Sequence, residues 1–378
     1  MKGPMPDILL MTADTIGGVW TYALELTGAL QPYGIHVYLA TMGRKLSAGQ
    51  WESTRSLTNL TVRESAFDLE WMADPWNSVD ESGRWLLGLE RQIQPDLIHL
   101  NTFCHGNLPW KAPVLMAGHS CVLSWWNAVR GRDIPDNLDT YRIRVKAGLR
   151  KADCVIGVSG YMLDQLKQNY GPFSSSDVIY NARKKDLFYS AEKKPVILSM
   201  GRIWDEGKNM MSLKDISPDL SWPVYIAGET RSQAAVSGNN LHFLGRLNNE
   251  EVAGWLSIAG IYVLPARYEP FGLSVLEAAL SGCALVLGDI PSLREIWGDA
   301  ALFADPEDRD AFADRIEKLA NDDRYRTRMA EKAAMRAQRY QRGQMARLYA
   351  DHYRLLLQNH SGQSLHRSHD PHLNSNQK

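Results

Sequence analysis

Short apolar runs alternate with longer stretches of helical spacing along the whole chain. Residues 8–11, 36–41, 96–100, 114–117 and 154–158 read as buried strands in the first half. Residues 196–200, 224–227, 242–244, 261–264, 284–287 and 301–303 read the same way in the second. Apolar strands separated by helices predict parallel α/β layers. Two such sets predict two doubly wound, Rossmann-like sheets, whose ligands sit at the carboxyl ends of the strands. The largely polar stretch 183–194 is the natural junction, which divides the chain into domains 1–187 and 188–340 facing a central cleft. Residues 325–357 have a helical pattern that breaks near 341–343, leaving 341–357 as a separate last helix. From residue 358 onward Ser, Asn, Gln and His replace apolar residues, so 358–378 is expected to be a disordered polar tail, its histidines solvated rather than metal-binding.

The densest chemistry lies between Arg267 and Gly282, which reads Arg-Tyr-Glu-Pro-Phe-Gly-Leu-Ser-Val-Leu-Glu-Ala-Ala-Leu-Ser-Gly. Pro265 ends the preceding strand, residues 273–280 have helical spacing, and Gly282 stands where a left-handed C-terminal cap belongs. Glu269 therefore falls in a strand-to-helix loop and Glu277 about one turn into the helix. Phe271, Gly272 and Leu273 are expected to offer free backbone N–H groups at the positive end of that helix, which suits an anionic or hydroxyl-rich ligand. A carboxylate accepts two hydrogen bonds from a vicinal diol, so the loop offers two diol readers around a phosphate-friendly helix end. Two glutamates on the surface of an ordinary helix are the plainer alternative.

Three further clusters sit at strand ends. Gly201-Arg202 follows the first strand of the second half, with Lys208-Asn209 six residues on. A glycine and two cations on one loop give backbone access and charge for a diphosphate that ionises as it leaves. Thr12-Ala13-Asp14-Thr15-Ile16-Gly17-Gly18-Val19 joins the first strand to a helix, and paired glycines allow close approach to a helix N-terminus. A plain tight turn would read the same. His119 follows the 114–117 strand at the expected cleft mouth, a placement open to a structural or an active-site role. His105 is a second candidate for the acceptor pocket, whereas His99 lies within a strand.

Glu269 and Glu277, with Pro-Phe-Gly between them, resemble the Glu-x7-Glu signature of retaining glycosyltransferases in glycosyltransferase family 4, and Gly201-Arg202…Lys208-Asn209 resembles the family's phosphate-neutralising element. The resemblance spans about residues 7–357 and is densest over 196–305. It implies a GT-B fold, with the last helix crossing back onto the N-terminal, acceptor-side domain. It implies metal-independent transfer of a sugar from a UDP, GDP or ADP donor to a hydroxyl acceptor, lipid-linked or saccharide, with retained anomeric configuration and no cofactor beyond the donor. Arg202 and Lys208 would stabilise the departing diphosphate beside Gly201. Glu269 would hold the transferred sugar, Glu277 the ribose, and His119 would sit near the reacting centre. Gly17, Gly18, Phe271, Gly272 and Leu273 would approach the donor, and the chain around Leu247 would face the nucleobase. Two departures stand out. Residues 178–182 read Val-Ile-Tyr-Asn-Ala where the family has Ile-Pro-Asn-Gly, leaving Asn181 to supply any left-handed turn. His119 has Gly118 and Ser120 as neighbours, where the family commonly has Thr before the histidine and Asp or Gly after it.

Composition narrows the alternatives. A net charge of −1 gives no global field to attract nucleic acid. The four cysteines lie far apart and read as small buried hydrophobes of a reducing cytoplasm. The start of the chain lacks a signal-peptide pattern and no run approaches a bilayer span, so the expectation is a cytoplasmic protein, at most peripheral at the inner membrane face. The basic residues in 141–151 would permit membrane-surface association, but they do not segregate to one face and a solvated helix is favoured. No Gly-x-Gly-x-x-Gly occupies the first turn, which argues against a nicotinamide enzyme. A non-catalytic sugar-nucleotide binder, or a GT-B epimerase or phosphorylase, remains as the alternative.

Overall fold

The computed structural model describes residues 4–131, 134–230 and 238–367. Strands β1 (Ile8–Asp14), β2 (His36–Met42), β3 (Leu60–Glu64), β4 (Leu97–Leu100), β5 (Val114–Gly118), β6 (Cys154–Gly157) and β7 (Ser176–Val178) form one sheet, in the order β3-β2-β1-β4-β5-β6-β7. Strands β8 (Lys194–Met200), β9 (Val224–Ala227), β10 (Leu241–Gly245), β11 (Ala259–Leu264), β12 (Ala284–Gly288) and β13 (Leu302–Ala304) form a second, in the order β10-β9-β8-β11-β12-β13. Every pairing between these strands is parallel. The strand order reverses between β1 and β4 in one sheet and between β8 and β11 in the other, and a crevice opens at the carboxyl end of each switch point. Asp14 ends β1 and the Gly17-Gly18 turn follows it, and Gly201-Arg202 follows β8. Strand topology thus aims these two loops at one cleft.

Central strands are buried on both faces, as parallel sheets covered by helices require: Leu9, Leu10 and Met11 in β1 and Ile261 to Leu264 in β11 are inaccessible to solvent. The two strands that the apolar pattern does not mark, β3 and β7, are sheet edges. β3 is only half-buried throughout, and β7 is three residues long with an exposed Asp177. Ile179 and Ala182 in the segment between the sheets are buried in the N-terminal core. The left-handed conformation that Asn181 could have supplied is absent there; it occurs instead at Asn209 (φ 51), in the loop after β8.

The last helix, Arg342–Arg367, packs on the first helix, Gly18–Leu30, and inserts Met345, Ala346, Tyr349, Tyr353 and Leu356 into the N-terminal core. It continues ten residues beyond 357, where a tail was expected. A helix already nucleated and anchored adds turns at little cost even when they are polar. Residues 368–378, the rest of that expected tail, lie outside the described residues.

Candidate active site

A cleft of ≈ 1830 Å³ separates the carboxyl ends of the two sheets, which leaves room for two small ligands side by side. Its walls contain Glu269, Glu277, Arg202, Lys208, Gly201, His119, Gly17, Gly18, Phe271, Gly272, Leu273 and Leu247. The fold brings these twelve expected residues to one place, whereas His105 is not among the lining residues. Their hydrogen-bond partners differ from expectation in several cases.

On the C-terminal wall the helix Leu273–Leu280 begins after Gly272, whose φ of 87 is open to glycine at little cost. The helix end is not free. Glu269 Oε1 accepts the Gly272 N–H at 3.0 Å and the Phe271 N–H at 3.4 Å, so the loop's own carboxylate occupies two donors expected to face a ligand. Glu269 Oε2 meets Lys208 Nζ at 2.5 Å, with both side chains largely buried. The Gly207 carbonyl accepts both the Arg267 and Tyr268 N–H groups, at 2.9 and 3.0 Å, and so stitches the 201–209 loop to the glutamate loop. Arg202 pairs with Asp205 at 2.8 Å, and Asp205 also accepts Trp125 Nε1–H at 3.0 Å and Gly207 N–H at 2.9 Å. Burial opposes ionisation of Asp205, but the Arg202 and Lys208 charges with those donors hold its carboxyl below the ordinary aspartate range.

Glu277 turns toward the hinge. Its Oε1 lies 2.7 Å from Arg183 Nε, while Arg183 Nη1 holds Glu25 Oε1 at 2.8 Å and Arg342 approaches Glu25 Oε2 at 3.5 Å. One buried charge cluster thus joins the first helix, the segment between the sheets, the glutamate helix and the start of the crossover helix. Burial pushes the Glu277 carboxyl upward, Arg183 opposes the shift and Glu25 adds to it. Neither Glu25 nor Arg183 is marked by a local motif. The available signal was a glutamate on the mostly apolar face of the helix Gly18–Leu30.

The N-terminal wall is built at the other switch point. Gly17 caps the helix Gly18–Leu30 with φ 102, and a Cβ there would lie 3.6 Å from Arg202 Nη1. A Cβ on Gly18 would stand 3.5 Å from Leu273 Cδ1, so the paired glycines face the cation loop and the glutamate helix across the cleft. His119 Nε2 lies 2.8 Å from Asn101 Oδ1, and Asn101 in turn donates through Nδ2 to the Thr12 carbonyl at 2.6 Å. That chain makes Nε2 the protonated nitrogen and leaves the Nδ1 lone pair without a hydrogen-bond partner among the described residues. The Tyr22 ring packs edge-on at 4.3 Å, and burial lowers the His119 pKa to about 3, so the imidazole is neutral at physiological pH. Asp14, at the end of β1, also borders the cleft. Burial raises its pKa to about 6 despite the Ile16 N–H and the Arg202 charge.

His105 does not reach the acceptor pocket it was expected to line, and His99 is structural, as its place within a strand suggests. Ser82 Oγ at 2.8 Å and Thr102 Oγ1 at 2.9 Å occupy both nitrogens of buried His105, which therefore supports the 102–105 turn rather than an acceptor. His99 bridges Tyr22 and Tyr353, at 3.1 and 2.6 Å, and ties the crossover helix to the N-terminal core. Across the back of the cleft, Arg130–Glu206 at 2.7 Å, Ser159 Oγ–H to the Pro270 carbonyl at 2.7 Å, and Glu295 on the Gly160 and Tyr161 N–H groups at 2.7 and 2.8 Å hold the domains together. The four cysteines are buried and unbridged. Among the described residues, no cluster of His, Cys, Asp or Glu has the makings of a metal site, and no helix is long and apolar enough to cross a membrane.

Comparison with known proteins agrees with this geometry. Residues 16–184 match the family described as Glycosyltransferase Family 4, and residues 182–336 match Glycosyl transferases group 1. O-antigen chain mannosyltransferase B of Escherichia coli is 32% identical over 132 residues, which are 35% of this chain and 30% of that protein. The chain spans 30% to 54% of the length of three such curated relatives. Among solved structures, sucrose-phosphate synthase from Thermosynechococcus elongatus superposes with a TM-score of 0.78 at 19% identity, covering 93% of this chain and 99% of that one. HepE from Anabaena, solved with UDP-glucose, gives 0.72 at 16% identity, covering 91% and 98%. The two family matches meet at the hinge, each fills one domain, and the neighbours share the two-sheet GT-B fold; the chain belongs to the group 1 glycosyltransferases of family 4 type.

Proposed function

We propose that this glycosyltransferase moves a sugar from a nucleoside-diphosphate donor to a hydroxyl acceptor, with retained anomeric configuration and without a metal ion. One observation carries the reading: Arg202 and Lys208 converge with Glu269 at the start of the helix Leu273–Leu280, opposite the Gly17-Gly18 turn. Both cations are paired with carboxylates. An entering diphosphate would exchange those partners for phosphate oxygens, freeing Glu269 to accept hydroxyls of the transferred sugar. As the bond from the anomeric carbon to the phosphate oxygen breaks, charge gathers on the diphosphate while the sugar becomes oxocarbenium-like. The two cations then interact most strongly at the transition state, which is what accelerates the step. Neutral His119, its Nδ1 turned from the Asn101 contact, would accept a hydrogen bond from a hydroxyl at the reacting centre. Glu277 would read the ribose from the hinge side, and the backbone around Leu247 would face the base. UDP-glucose bound by the Anabaena neighbour supports a donor of this class.

Metal independence follows from the same pairing. Asp205 and Glu269, the carboxylates nearest the clamp, are each neutralised by a cation, and the clamp already supplies the positive charge that a metal would bring. Release of nucleoside diphosphate from UDP-, GDP- and ADP-sugars, assayed with crude acceptor fractions, should therefore change by less than about twofold in excess EDTA. Abolition by chelation with rescue by Mg²⁺ or Mn²⁺ would contradict the clamp. The proton coupling constant at the new anomeric centre tests retention, and an inverted product would overturn that part.

A further inference from the structure

Asp14 ends β1 at the N-terminal switch point and borders the cleft. It is 8% exposed, its Oδ1 accepts the Ile16 N–H at 2.5 Å, and the Trp71 indole N–H donates to the carboxyl. A carboxylate has about four lone-pair sites, so one that is more than nine-tenths buried, borders a cavity and receives only these two donors can still accept a donor that the cavity holds. Trp71 borders the same cavity and remains 40% exposed. Its position is not that of a loose loop. The adjacent Glu70 is buried and accepts the Phe103 N–H at 3.0 Å and the Cys104 N–H at 2.8 Å, which bolts the 70–71 turn to the segment after β4.

A rigid indole face beside a carboxylate matches one chemistry well. A pyranose presents an apolar C–H face and a hydroxylated edge, so the ring covers the indole while its edge donates to Asp14. A hydrocarbon chain would cover the indole but remove water from the carboxyl without offering it a donor, which is unfavourable. We propose that Asp14 and Trp71 form the acceptor subsite and that the acceptor is bound there through a pyranose ring. Asp14 receives a hydroxyl of that ring and Trp71 carries its C–H face, on the wall opposite the cation clamp. The inference rests on the glycosyl-transfer reading and adds the acceptor class.

Saturation-transfer NMR on the full chain tests it, with methyl α- and β-pyranosides of glucose, mannose and galactose and with octyl glucoside as probes. UDP, GDP and ADP are present in parallel samples. Ring protons of at least one methyl pyranoside should receive saturation from the wild-type protein. The effect should fall by about tenfold or more in Trp71→Ala and in Asp14→Asn, persist in Trp71→Phe, and leave the nucleotide signals unchanged. Trp71 is surface-exposed, so Trp71→Ala keeps the test open if Asp14→Asn misfolds. Unaltered ring saturation in a folded Trp71→Ala, saturation confined to the octyl chain, or no pyranoside signal beside a clear nucleotide signal would each overturn the subsite. Loss of the nucleotide signal alone would strike the donor reading and leave the subsite standing.

Discussion

Lys208→Ala should lower turnover by about 100-fold or more, equivalent to roughly 2.7 kcal/mol of transition-state stabilisation. The expectation follows from where charge develops. The ammonium is buried beside the position expected for the diphosphate, and its present partner, Glu269, is the carboxylate that a donor would displace it from. Arg202→Ala should cost a similar factor, because Arg202 faces the Gly17 turn from the same loop. The two variants should part on stability. Arg202 is over a third exposed and Asp205 keeps the Trp125 and Gly207 donors without it, so its removal should cost about 1 kcal/mol or less, whereas Lys208→Ala leaves Glu269 without its cation and should lower unfolding free energy by about 1–3 kcal/mol. Initial rates at saturating donor, with urea melts of the same preparations, check both halves. Near-normal turnover in both variants would remove the clamp from the mechanism.

Arg183→Ala carries the largest expected effect on folding. Arg183, Glu25 and Glu277 have side chains 8%, 6% and 12% exposed, so solvent screens little of the lost interaction. Removing the guanidinium leaves two buried carboxylates with the Lys184 N–H at 3.3 Å and the more distant Arg342 on Glu25 as compensation, and breaking a buried pair of this kind costs about 3–5 kcal/mol. Urea denaturation at neutral pH should show a loss in that range. A loss below about 1 kcal/mol would mean that the cluster relaxes or admits water, and the hinge would need another account. Because Glu277 belongs to this cluster, the variant should also weaken nucleotide binding through misplacement of the carboxylate.

The central elements were legible in the chain because buried parallel strands and a capped helix leave local marks. The run 261–264, Pro265, the helical spacing of 273–280 and Gly282 place the helix Leu273–Leu280 and its left-handed cap where they occur. β3 and β7 left no such mark, since an edge strand is half solvated and needs neither length nor a continuous apolar run. Long-range partners were the chief loss. Nothing near Glu277 announces Arg183, and nothing near Arg183 announces Glu25, 158 positions away. Filling of the helix end by Glu269 was missed for another reason. An open N-terminus attracts any nearby anion, and the loop's own carboxylate is the nearest. His105 and His119 look alike as strand-end histidines, and only the count of occupied ring nitrogens separates them.

The central claim is that the cation loop and Glu277 hold a nucleoside diphosphate in the cleft while Glu269 holds the transferred sugar. Calorimetric titration of wild type, Arg202→Ala, Glu269→Ala and Glu277→Ala with UDP, GDP and ADP addresses it most directly. At least one nucleotide should bind the wild type, with affinity reduced by about tenfold or more in Arg202→Ala and Glu277→Ala, as for loss of a charge-assisted contact. Glu269→Ala should bind bare nucleotide nearly as the wild type does, because its proposed partner is the sugar. Failure of all three nucleotides to bind wild type, or equal affinity in wild type and Arg202→Ala, would contradict the account.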